Sequence, residues 1–539
     1  MQLRRSEPAI TDSQYRQLTS KPTLGATLRR WWTLGVLLLV FETLLLLIWS
    51  HLLWSRFDLG EDYALFIKAF GEVGSGNLHP FVDAYNNLQY YGPLTNFHLL
   101  GFPFLDNNFE LAMFPLALIN LVWHSSFAIL AVQVLAAQAA LVAAFRFGLE
   151  LIEEASLSRG AQRWSAAGFF LLLVLSPWTL WAVSFDFHFE PVVVVFLVLA
   201  LRDLYFGSWR WTLWAGLVLA GGDVTSIWLV GAGIGMLALS GRRRRIMSGA
   251  MALGGAIWLG VIFALHGAQG PAVSANYAYL LGGGPPAAGA GALLRLLVAI
   301  PRHIPEIFTL LVQRKVIIYR WIASGGVFGL ASPLSFGTVL AVLGVNSLNQ
   351  GTAFIDNYAA FQNFAAVVTL ALGTLWIFLW AQRRAASKER AKNALRLVAL
   401  LVLVQSLVYF VMWVPRAREY YLHNSAASAN ALQRVLAETP ANAEVIATIS
   451  IEGRFGERRY VYPFTSTFLD GQTIPLIGSK VVFVFYLKDV QGPQAVTMNR
   501  EAIAEVINEF HPKVLLERDQ VYAFLLTQNP AMVRIITLP

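Results

Sequence analysis

Cysteine is absent from the 539-residue sequence, which excludes disulfide bonds, thiolate catalysis and cysteine-ligated metal sites. Charged residues are scarce as well: they make up 13% of the chain, whereas soluble domains carry roughly 25%. Hydrophobic residues account for 56%, and the mean hydropathy is +0.56. This balance argues against a soluble protein and indicates a membrane protein.

Long apolar runs follow one another through most of the chain, and several approach the roughly 20 residues that a helix needs to cross a bilayer. The first follows a polar, basic leader and has no small-residue cleavage site after it, so we expect a retained span rather than a signal peptide. The runs predict about eleven membrane helices, near residues 31–53, 126–146, 164–184, 191–205, 211–221, 225–240, 246–266, 306–328, 330–346, 361–381 and 394–414.

Basic residues cluster in the short segments between these runs, and such clusters mark cytoplasmic loops. The net charge of +8 is therefore an orientation signal, and no nucleic-acid partner is predicted. A basic leader places the N-terminus in the cytoplasm, and an odd number of spans then places everything after residue 415 outside. The clusters are Arg4, Arg5, Arg16, Lys21, Arg29 and Arg30; Arg146, Arg159 and Arg163; Arg202 and Arg210; residues 241–245; and residues 382–392.

If the run 109–124 crossed the membrane, the number of spans would no longer place all the basic clusters on the cytoplasmic side. We therefore expect this run to lie flat at the outer interface as an amphipathic segment.

The tail of the sequence has a different pattern, because strand patterns (444–451, 480–487 and a pair within 513–527) alternate with helical ones (430–439 and 500–511). Three parts are predicted: a cytoplasmic leader (1–30), a transmembrane domain (31–415) with its first outer loop at 54–125, and an extracytoplasmic α/β domain (416–539).

Polar side chains recur where the predicted spans end on the outer side. Ionisable groups near the hydrocarbon are costly and need a reason, and a shared polar cavity at the membrane boundary would supply one. The segments that carry them are Asp58 with Glu61 and Asp62, "LDNNFE" (105–110), "FDFHFEP" (185–191), "GGD" (221–223) and "DNY" (356–358).

Several of these residues have a structural alternative. Asp58 precedes Leu-Gly and is placed to cap the next helix, and Asp223 is placed to cap the helix after the two glycines. Arg314, Lys315 and Arg320 interrupt an apolar run, which suits either a snorkelling belt or a phosphate-binding role.

His188 lies between aromatic residues and close in sequence to Asp186 and Glu190. The pattern suits a hydrogen-bonded interfacial histidine. Three nitrogen and oxygen ligands also suffice for a metal ion. No metal ligand is assigned, and a divalent cation is the one cofactor that the sequence leaves open.

Motif order and topology resemble a known family at this point. "SRFDLG" after the first span, "FDFHFEP", "GGD" and the tail beginning "HNSAASANALQRVLAETPANAEVIAT" resemble the bacterial predicted membrane proteins called DUF2079. That family is grouped with the GT-C superfamily of polyprenyl-phosphate-dependent glycosyltransferases. The resemblance runs from about Trp32 to Pro539. The chain departs from the family pattern at Asn108, at Gly221-Gly222 before Asp223, and at Asn357 before Tyr358.

The resemblance implies a GT-C-like polytopic helical fold in the bacterial plasma membrane, with the site and the C-terminal domain extracytoplasmic. It implies an inverting transferase that moves a sugar from a polyprenyl-phosphate donor to a cell-envelope glycan, lipid or protein, with membrane lipid as a further partner. The carboxylate of Asp58 occupies the position of the superfamily's catalytic base. The substrate-binding positions are Arg56, Asp62, Asn108, Glu110, Asp186, His188, Glu190, Asp223, Arg320, Asn357 and Tyr358.

The chemistry explains acids at a membrane boundary. A carboxylate deprotonates the acceptor hydroxyl, and cations stabilise the charge that grows on the departing lipid phosphate; Arg56, Arg320 or His188 are candidates. Two other functions stay open. A transporter or flippase for a lipid-linked substrate would place ionisable groups near the midplane of repeated halves, whereas these acids lie at span ends. A non-catalytic envelope scaffold is the third reading.

Overall fold

The computed structural model describes residues 24–82, 102–107, 109–265, 277, 279–280, 290–349, 360–385, 388–458, 460–464, 472–475, 480–488, 493–527 and 532–535. Seven helices in these ranges are long and apolar enough to cross a membrane, which confirms a polytopic helical protein. They are Ala26–Arg56, Phe127–Glu154, Arg159–Ala182, Arg242–Leu265, Leu294–Gln313, Ala360–Arg384 and Glu389–Tyr421, and two shorter apolar helices are Asp223–Met236 and Phe336–Leu348. The total of eleven spans stays a prediction.

The helices are numbered in chain order. They are α1 (Ala26–Arg56), α2 (Glu61–Gly74), α3 (Phe104–Asn107), α4 (Met113–Ala117), α5 (Ile119–Val122), α6 (Phe127–Glu154), α7 (Arg159–Val174), α8 (Trp178–Ala182), α9 (Phe189–Tyr205), α10 (Trp211–Leu219), α11 (Asp223–Met236), α12 (Arg242–Leu265), α13 (Ala290–Ala299), α14 (Ile304–Gln313), α15 (Lys315–Gly325), α16 (Phe336–Leu348), α17 (Ala360–Arg384), α18 (Glu389–Tyr421), α19 (Ala426–Glu438) and α20 (Pro493–Phe510). Short 3-10 helices cover Ile300–His303, Val327–Ala331 and Glu452–Phe455.

Helix α6 lies at the centre of the bundle, where it packs against α1, α7, α9 and α17. Its sequence is rich in alanine and leucine, which are good helix formers. Glycines let its neighbours approach closely: a Cβ on Gly35 of α1 would lie 2.2 Å from the Phe145 ring of α6, and one on Gly148 would lie 2.1 Å from Phe169 of α7. Small residues at such crossings drive helix association in lipid.

The predicted span 306–328 is wrong. The structure breaks this segment into α14, α15 and a 3-10 helix, and the helix that qualifies as a span lies earlier, at Leu294–Gln313. Arg314 lies at the break and is buried, and its guanidinium donates hydrogen bonds to the carbonyl oxygens of Ser347 and Asn349 at the end of α16. The charged side chain thus serves a neighbouring helix end instead of a continuous helix.

The segment 109–124 does not form a spanning helix. It contains only α4 and α5, which have five and four residues. At 1.5 Å per residue, these helices are far too short to cross a bilayer. These helices are consistent with a run that does not cross the membrane, and its position at the outer interface stays a prediction.

The strands form a small C-terminal unit and two minor pairs. They are β1 (Phe81–Val82), β2 (Phe102–Pro103), β3 (Glu444–Thr448), β4 (Val461–Phe464), β5 (Gln472–Pro475), β6 (Val481–Tyr486), β7 (Lys513–Arg518), β8 (Val521–Leu526) and β9 (Met532–Ile535). Five of them form one sheet in the order β4-β3-β6-β8-β7, with β3 parallel to β4 and β6, and β8 antiparallel to β6 and β7. Minor pairs join β1 to β2 and β5 to β9.

The five-stranded sheet carries an apolar layer on each face. One layer contains Leu432 and Val435 of α19. The other contains Ile503 and Val506 of α20. The first layer also includes Phe57 and Ala64, which flank the end of α1 and the start of α2. The C-terminal sheet therefore uses residues from the junction of α1 and α2 as part of its own core.

A prediction concerns the crossing of α11 and α16. A Cβ on Gly337 would lie 1.9 Å from the carbonyl oxygen of Gly231, whereas one on Gly344 would meet only the end of the Leu340 side chain at 3.7 Å. We expect Gly337→Ala to destabilise the detergent-solubilised protein by about 1–3 kcal/mol because the helices must separate. Gly344→Ala, the control, should be neutral or stabilise by up to about 1 kcal/mol. Equal melting temperatures for the two variants in thermal unfolding would contradict this account.

Candidate functional site

The carboxylate of Asp58 lies just beyond the end of α1. Helix α1 stops because Phe57 adopts a left-handed conformation (φ 61°), and the N–H of Asp58 donates back to the carbonyl of Leu53 at 3.0 Å. Its Oδ1 accepts hydrogen bonds from the backbone N–H groups of His423 and Asn424, both at 2.9 Å. Two segments 365 residues apart therefore meet at this carboxylate.

Asn424 closes the same contact with its side chain. Its Nδ2 donates to the carbonyl oxygens of Arg56 at 2.9 Å and Phe57 at 3.0 Å. Arg56 in turn donates from a guanidinium nitrogen to the carbonyl of Asn424 at 3.0 Å. Arg56 therefore holds the Asp58 turn against the C-terminal segment.

The second oxygen of Asp58, Oδ2, is buried and accepts no hydrogen bond from any described residue. Burial raises the pKa of Asp58 to about 7, against the opposing effect of the N–H groups of Asn424 and His423 and the charge of Arg56. Two N–H groups thus hold one oxygen, and the other is buried without a described partner.

Asp186 is the residue that caps α2, a role that the sequence offered to Asp58. Its Oδ1 accepts from the N–H of Gly60 at 2.9 Å, and its Oδ2 accepts from the N–H of Tyr63 at 3.4 Å. These N–H groups belong to the first turn of α2, where helices leave donors unpaired. Burial raises the pKa of Asp186, and the two N–H donors oppose that rise. Asp186 therefore contacts the end of the four-residue turn, 57–60, that contains Asp58.

Gln133 of α6 fixes the turn that presents Asp186, whose φ of 33° is unusual for a residue with a side chain. Its Nε2 donates to the carbonyl of Asp186 at 3.0 Å, and its Oε1 accepts from the N–H of His188 at 2.6 Å. Gln133 is fully buried. The side-chain amide of Gln133 thus pairs with the carbonyl of Asp186 and with the N–H of His188 inside the bundle.

His188 lies between two carboxylates. Its Nε2 is 3.6 Å from Oδ2 of Asp62, and its Nδ1 is 4.0 Å from Oε2 of Glu190. Its ring stacks on Phe361 of α17 at a centroid distance of 3.6 Å, with Phe185 parallel to both rings. Burial lowers the pKa of His188 to about 3, so the ring is neutral at physiological pH. Burial therefore disfavours the positive charge suggested for His188, and its role in the site stays a prediction.

Asp62 is the more exposed acid of this cluster, with 26% of its side chain accessible. Burial and the charge of Asp186 both raise its pKa. Glu190 is buried and within electrostatic reach of Asp62 and Asp223. The structure therefore brings Asp62, Asp186, His188 and Glu190 together beside the start of α2.

Asp223 and Glu110 lie at the edge of this group. Asp223 is the first residue of α11 and is exposed, and its Oδ1 accepts from the N–H of Val224 at 2.7 Å. The N-cap of α11 is Gly222, without a side-chain hydrogen bond, so the capping alternative for Asp223 is not observed. Next to it, Gly222 packs against the backbone of Phe109 and the side chain of Glu110. The segment that carries Glu110 is thus held against the loop before α11.

Arg320 lies elsewhere, against the ring of Trp413 in α18. Its guanidinium is 4.3 Å from the ring centroid, and that of Arg416 is 4.8 Å from the same centroid. The indole of Trp181 donates to the carbonyl of Trp413 at 2.9 Å and fixes this part of α18. Three further candidates, Asn108, Asn357 and Tyr358, lie outside the described residues.

Several participants had only weak signals in the sequence. Gln133 is one of two amides in an apolar helix, and such polar residues within membrane segments are a recognisable sign of a special role. His423 acts through its backbone, which leaves no trace in residue type. Asn424 follows a long helix, Phe361 lies at the start of one and Arg416 lies near the end of one, but nothing local links them to Asp58 or His188.

The described residues contain no cluster of side chains that could bind a metal ion. No group of three or more histidine, aspartate or glutamate side chains there is placed to hold a metal ion. The ring nitrogens of His188 lie 3.6 Å from the carboxylate of Asp62 and 4.0 Å from that of Glu190, which is longer than a hydrogen bond. The divalent cation left open by the sequence stays a hypothesis.

Comparisons with known proteins give one family. The family model described as "Predicted membrane protein (DUF2079)" matches residues 50–491, a segment that contains every candidate site residue. No curated protein matches the chain. Among solved structures, the chain is similar to ArnT from Cupriavidus metallidurans bound to undecaprenyl phosphate, at 10% identity and a TM-score of 0.44. That match covers 91% of this chain and 97% of the other.

A prediction concerns Asn424, whose side chain satisfies two backbone carbonyls at the end of α1. We expect Asn424→Ala to destabilise the protein by about 1–3 kcal/mol, because buried acceptors lose their donor. Asn393→Ala is the control, since Asn393 lies at the exposed start of α18, the helix that Asn424 follows, and accepts a surface hydrogen bond from Arg396. Thermal unfolding in detergent measures both. If the two variants melt alike, Asn424 does not hold the Asp58 turn.

Proposed function

The chain belongs to the DUF2079 family of predicted membrane proteins, and from that premise we propose that it is a membrane glycosyltransferase with Asp58 as its general base. The donor is a sugar linked to a polyprenyl phosphate, and the acceptor is a hydroxyl group of a cell-envelope glycan, lipid or protein. The family resemblance supplies the donor class. The geometry around Asp58 supplies the chemistry.

The reaction exchanges one bond at the anomeric carbon and transfers one proton. The acceptor oxygen attacks the anomeric carbon while Oδ2 of Asp58 takes the hydroxyl proton. The bond between that carbon and the phosphate oxygen breaks, and the lipid phosphate leaves with the electron pair. Attack opposite the leaving group inverts the anomeric configuration, as a base-activated nucleophile does in inverting hydrolysis.

The observation that carries this proposal is the asymmetric environment of the Asp58 carboxylate. Two N–H groups hold Oδ1, whereas Oδ2 is buried with no described partner. A base works best when its pKa lies near the operating pH, and burial raises the pKa of Asp58 to about 7. Asp58 follows α1 directly, so a donor anchored in the bilayer by its lipid tail has its reactive carbon at the depth of this carboxylate.

Positive charge for the departing phosphate is assigned to Arg320 and Arg416. Both guanidinium groups lie against Trp413, at 4.3 and 4.8 Å from its ring centroid. Arg416 lies five residues, or about 7.5 Å along the axis, before the end of α18, whose following residues hold Asp58. A sugar ring separates the attacked hydroxyl from the phosphate, so base and cations belong at different points of one cavity.

The proposal includes a location for the site and a role for the acids around it. The site faces the outside of the plasma membrane, where the C-terminal domain covers it. The neutral imidazole of His188 and the carboxylates of Asp62 and Glu190 hold sugar hydroxyls, because together they offer donors and acceptors without net positive charge.

A direct test uses Asp58→Asn in membranes that are given a radiolabelled polyprenyl-phosphate sugar and cell-envelope acceptors. We expect transfer to fall by 10²–10⁴-fold, since the amide keeps the contact with His423 and Asn424 but cannot take a proton. Asp519→Asn is the matched control, an acid-to-amide change in the β7–β8 turn of the C-terminal domain, and should leave transfer unchanged. Undiminished transfer by Asp58→Asn would remove Asp58 as the base.

The pH dependence of transfer gives a second test. Only ionised Asp58 accepts a proton, and its pKa is raised to about 7, so the rate should rise roughly tenfold between pH 6 and pH 8 and then level off. Initial rates at saturating donor measure this profile. The residual rate of Asp58→Asn should lack the same inflection, and a wild-type rate that is flat from pH 5 to pH 8 would contradict the role.

A further inference from the structure

A cavity of about 370 Å³ lies between α2, the segment before α6 and the C-terminal domain. Its walls carry two basic side chains, Lys68 and Arg458, and two acidic ones, Glu72 and Glu457. Its volume is in the range of small-molecule sites, about 300–1,000 Å³. Neither the family match nor the proposed reaction assigns it a ligand.

The walls of the cavity are held in place by contacts between the two parts of the protein. Lys68 of α2 donates to the carbonyl of Arg458 at 2.9 Å. The guanidinium of Arg458 donates to the carbonyl of Leu436 at 2.7 Å and that of Pro440 at 3.4 Å. Beside them, Gly456 packs against the backbone of Ala64, where a Cβ would come within 2.9 Å. The cavity is therefore preformed.

The lining favours an uncharged ligand that is rich in hydroxyl groups. The two basic and two acidic side chains balance, which gives no net attraction for a phosphate or an acidic sugar. Asn120, Ser125 and Ser126 add an amide and two hydroxyls, and His124 adds an imidazole. Amides, hydroxyls and imidazoles can each donate a hydrogen bond to a ligand hydroxyl or accept one from it. Neutral saccharides present such groups around the whole ring.

The cavity lies on the opposite face of α2 from the His188 cluster. Phe66 and Phe70 turn toward residues 187–189, whereas Ile67, Lys68 and Gly71 line the cavity. Ser126 connects the cavity to the Asp58 segment, because the indole of Trp54 donates to its hydroxyl at 3.0 Å. Asp58 follows four residues after Trp54.

We propose that this cavity binds a neutral saccharide, held jointly by α2 and the C-terminal domain. That the saccharide is part of the acceptor for sugar transfer rests on the proposed function. The binding of a saccharide does not depend on the proposed function, because the cavity, its fixed walls and its balanced charges are present whether or not a reaction occurs at Asp58.

The binding test uses the full-length protein in lipid nanodiscs and saturation-transfer NMR. The probes are the methyl glycosides of glucose, galactose, mannose and N-acetylglucosamine. A side chain at Gly71 would point into open space in the cavity, since nothing lies within 4 Å of a Cβ there. We expect at least one probe to bind, and Gly71→Trp to weaken that binding by tenfold or more, while Gly71→Ala retains it.

The control is Gly160→Trp, an equally open position at the exposed start of α7, which should leave binding unchanged. Thermal unfolding shows that each variant is folded. Failure of every probe to bind the wild type would overturn the saccharide assignment. Equal binding by Gly71→Trp and the wild type would overturn the location. Displacement of a bound probe by inorganic phosphate would show an anion site instead.

The transfer assay separates this inference from the proposed reaction. If wild-type membranes transfer sugar and Gly71→Trp raises the KM for acceptor but not for donor, the cavity is the acceptor site. If both KM values are unchanged, the acceptor role is overturned and the reaction at Asp58 stands. If no transfer occurs but a glycoside binds and Gly71→Trp removes it, the saccharide site stands and the proposed reaction fails.

Discussion

The hydrogen bonds from the N–H groups of His423 and Asn424 to Oδ1 of Asp58 are the contact on which the rest of the site depends. They join the end of the first described helix to the end of the last long one. Because uncharged amides make this contact, they orient the carboxylate without forming an ion pair at Oδ2. The side chain of Asn424 and the guanidinium of Arg56 reinforce the same junction from both sides.

The C-terminal domain is a structural part of this junction. Its sheet buries Phe57 in its own core, and the N–H of Gly453 donates to the carbonyl of Leu59 at 3.1 Å. Arg454 lies over the ring of Trp54 at 3.6 Å and donates to its carbonyl. Residues on both sides of Asp58 are thus packed against one domain, so the position of the carboxylate depends on the folding of that domain.

Hydropathy was enough to predict the long helices, because burial in lipid imposes length and composition on each segment separately. Local patterns also predicted the strands and helices of the tail, such as β3 and β6. The error at 306–328 arose because Arg314 binds the end of another helix. Asp186, rather than Asp58, caps α2 for a similar reason. Helix ends accept partners from anywhere in the fold, and backbone N–H groups carry no mark in the sequence. For Asp62, His188 and Glu190, the sequence predicted only that they lie on the same side of the membrane, and not that they contact one another.

The separation of 365 residues between Asp58 and its backbone donors has a consequence for biogenesis. A ribosome makes the aspartate early and the donors only after α18, so the nascent chain threads most of its helices into the bilayer with that carboxylate still unclamped. A product cut short before residue 423 lacks the means to orient it. Maturation of the site is thereby tied to the completion of synthesis.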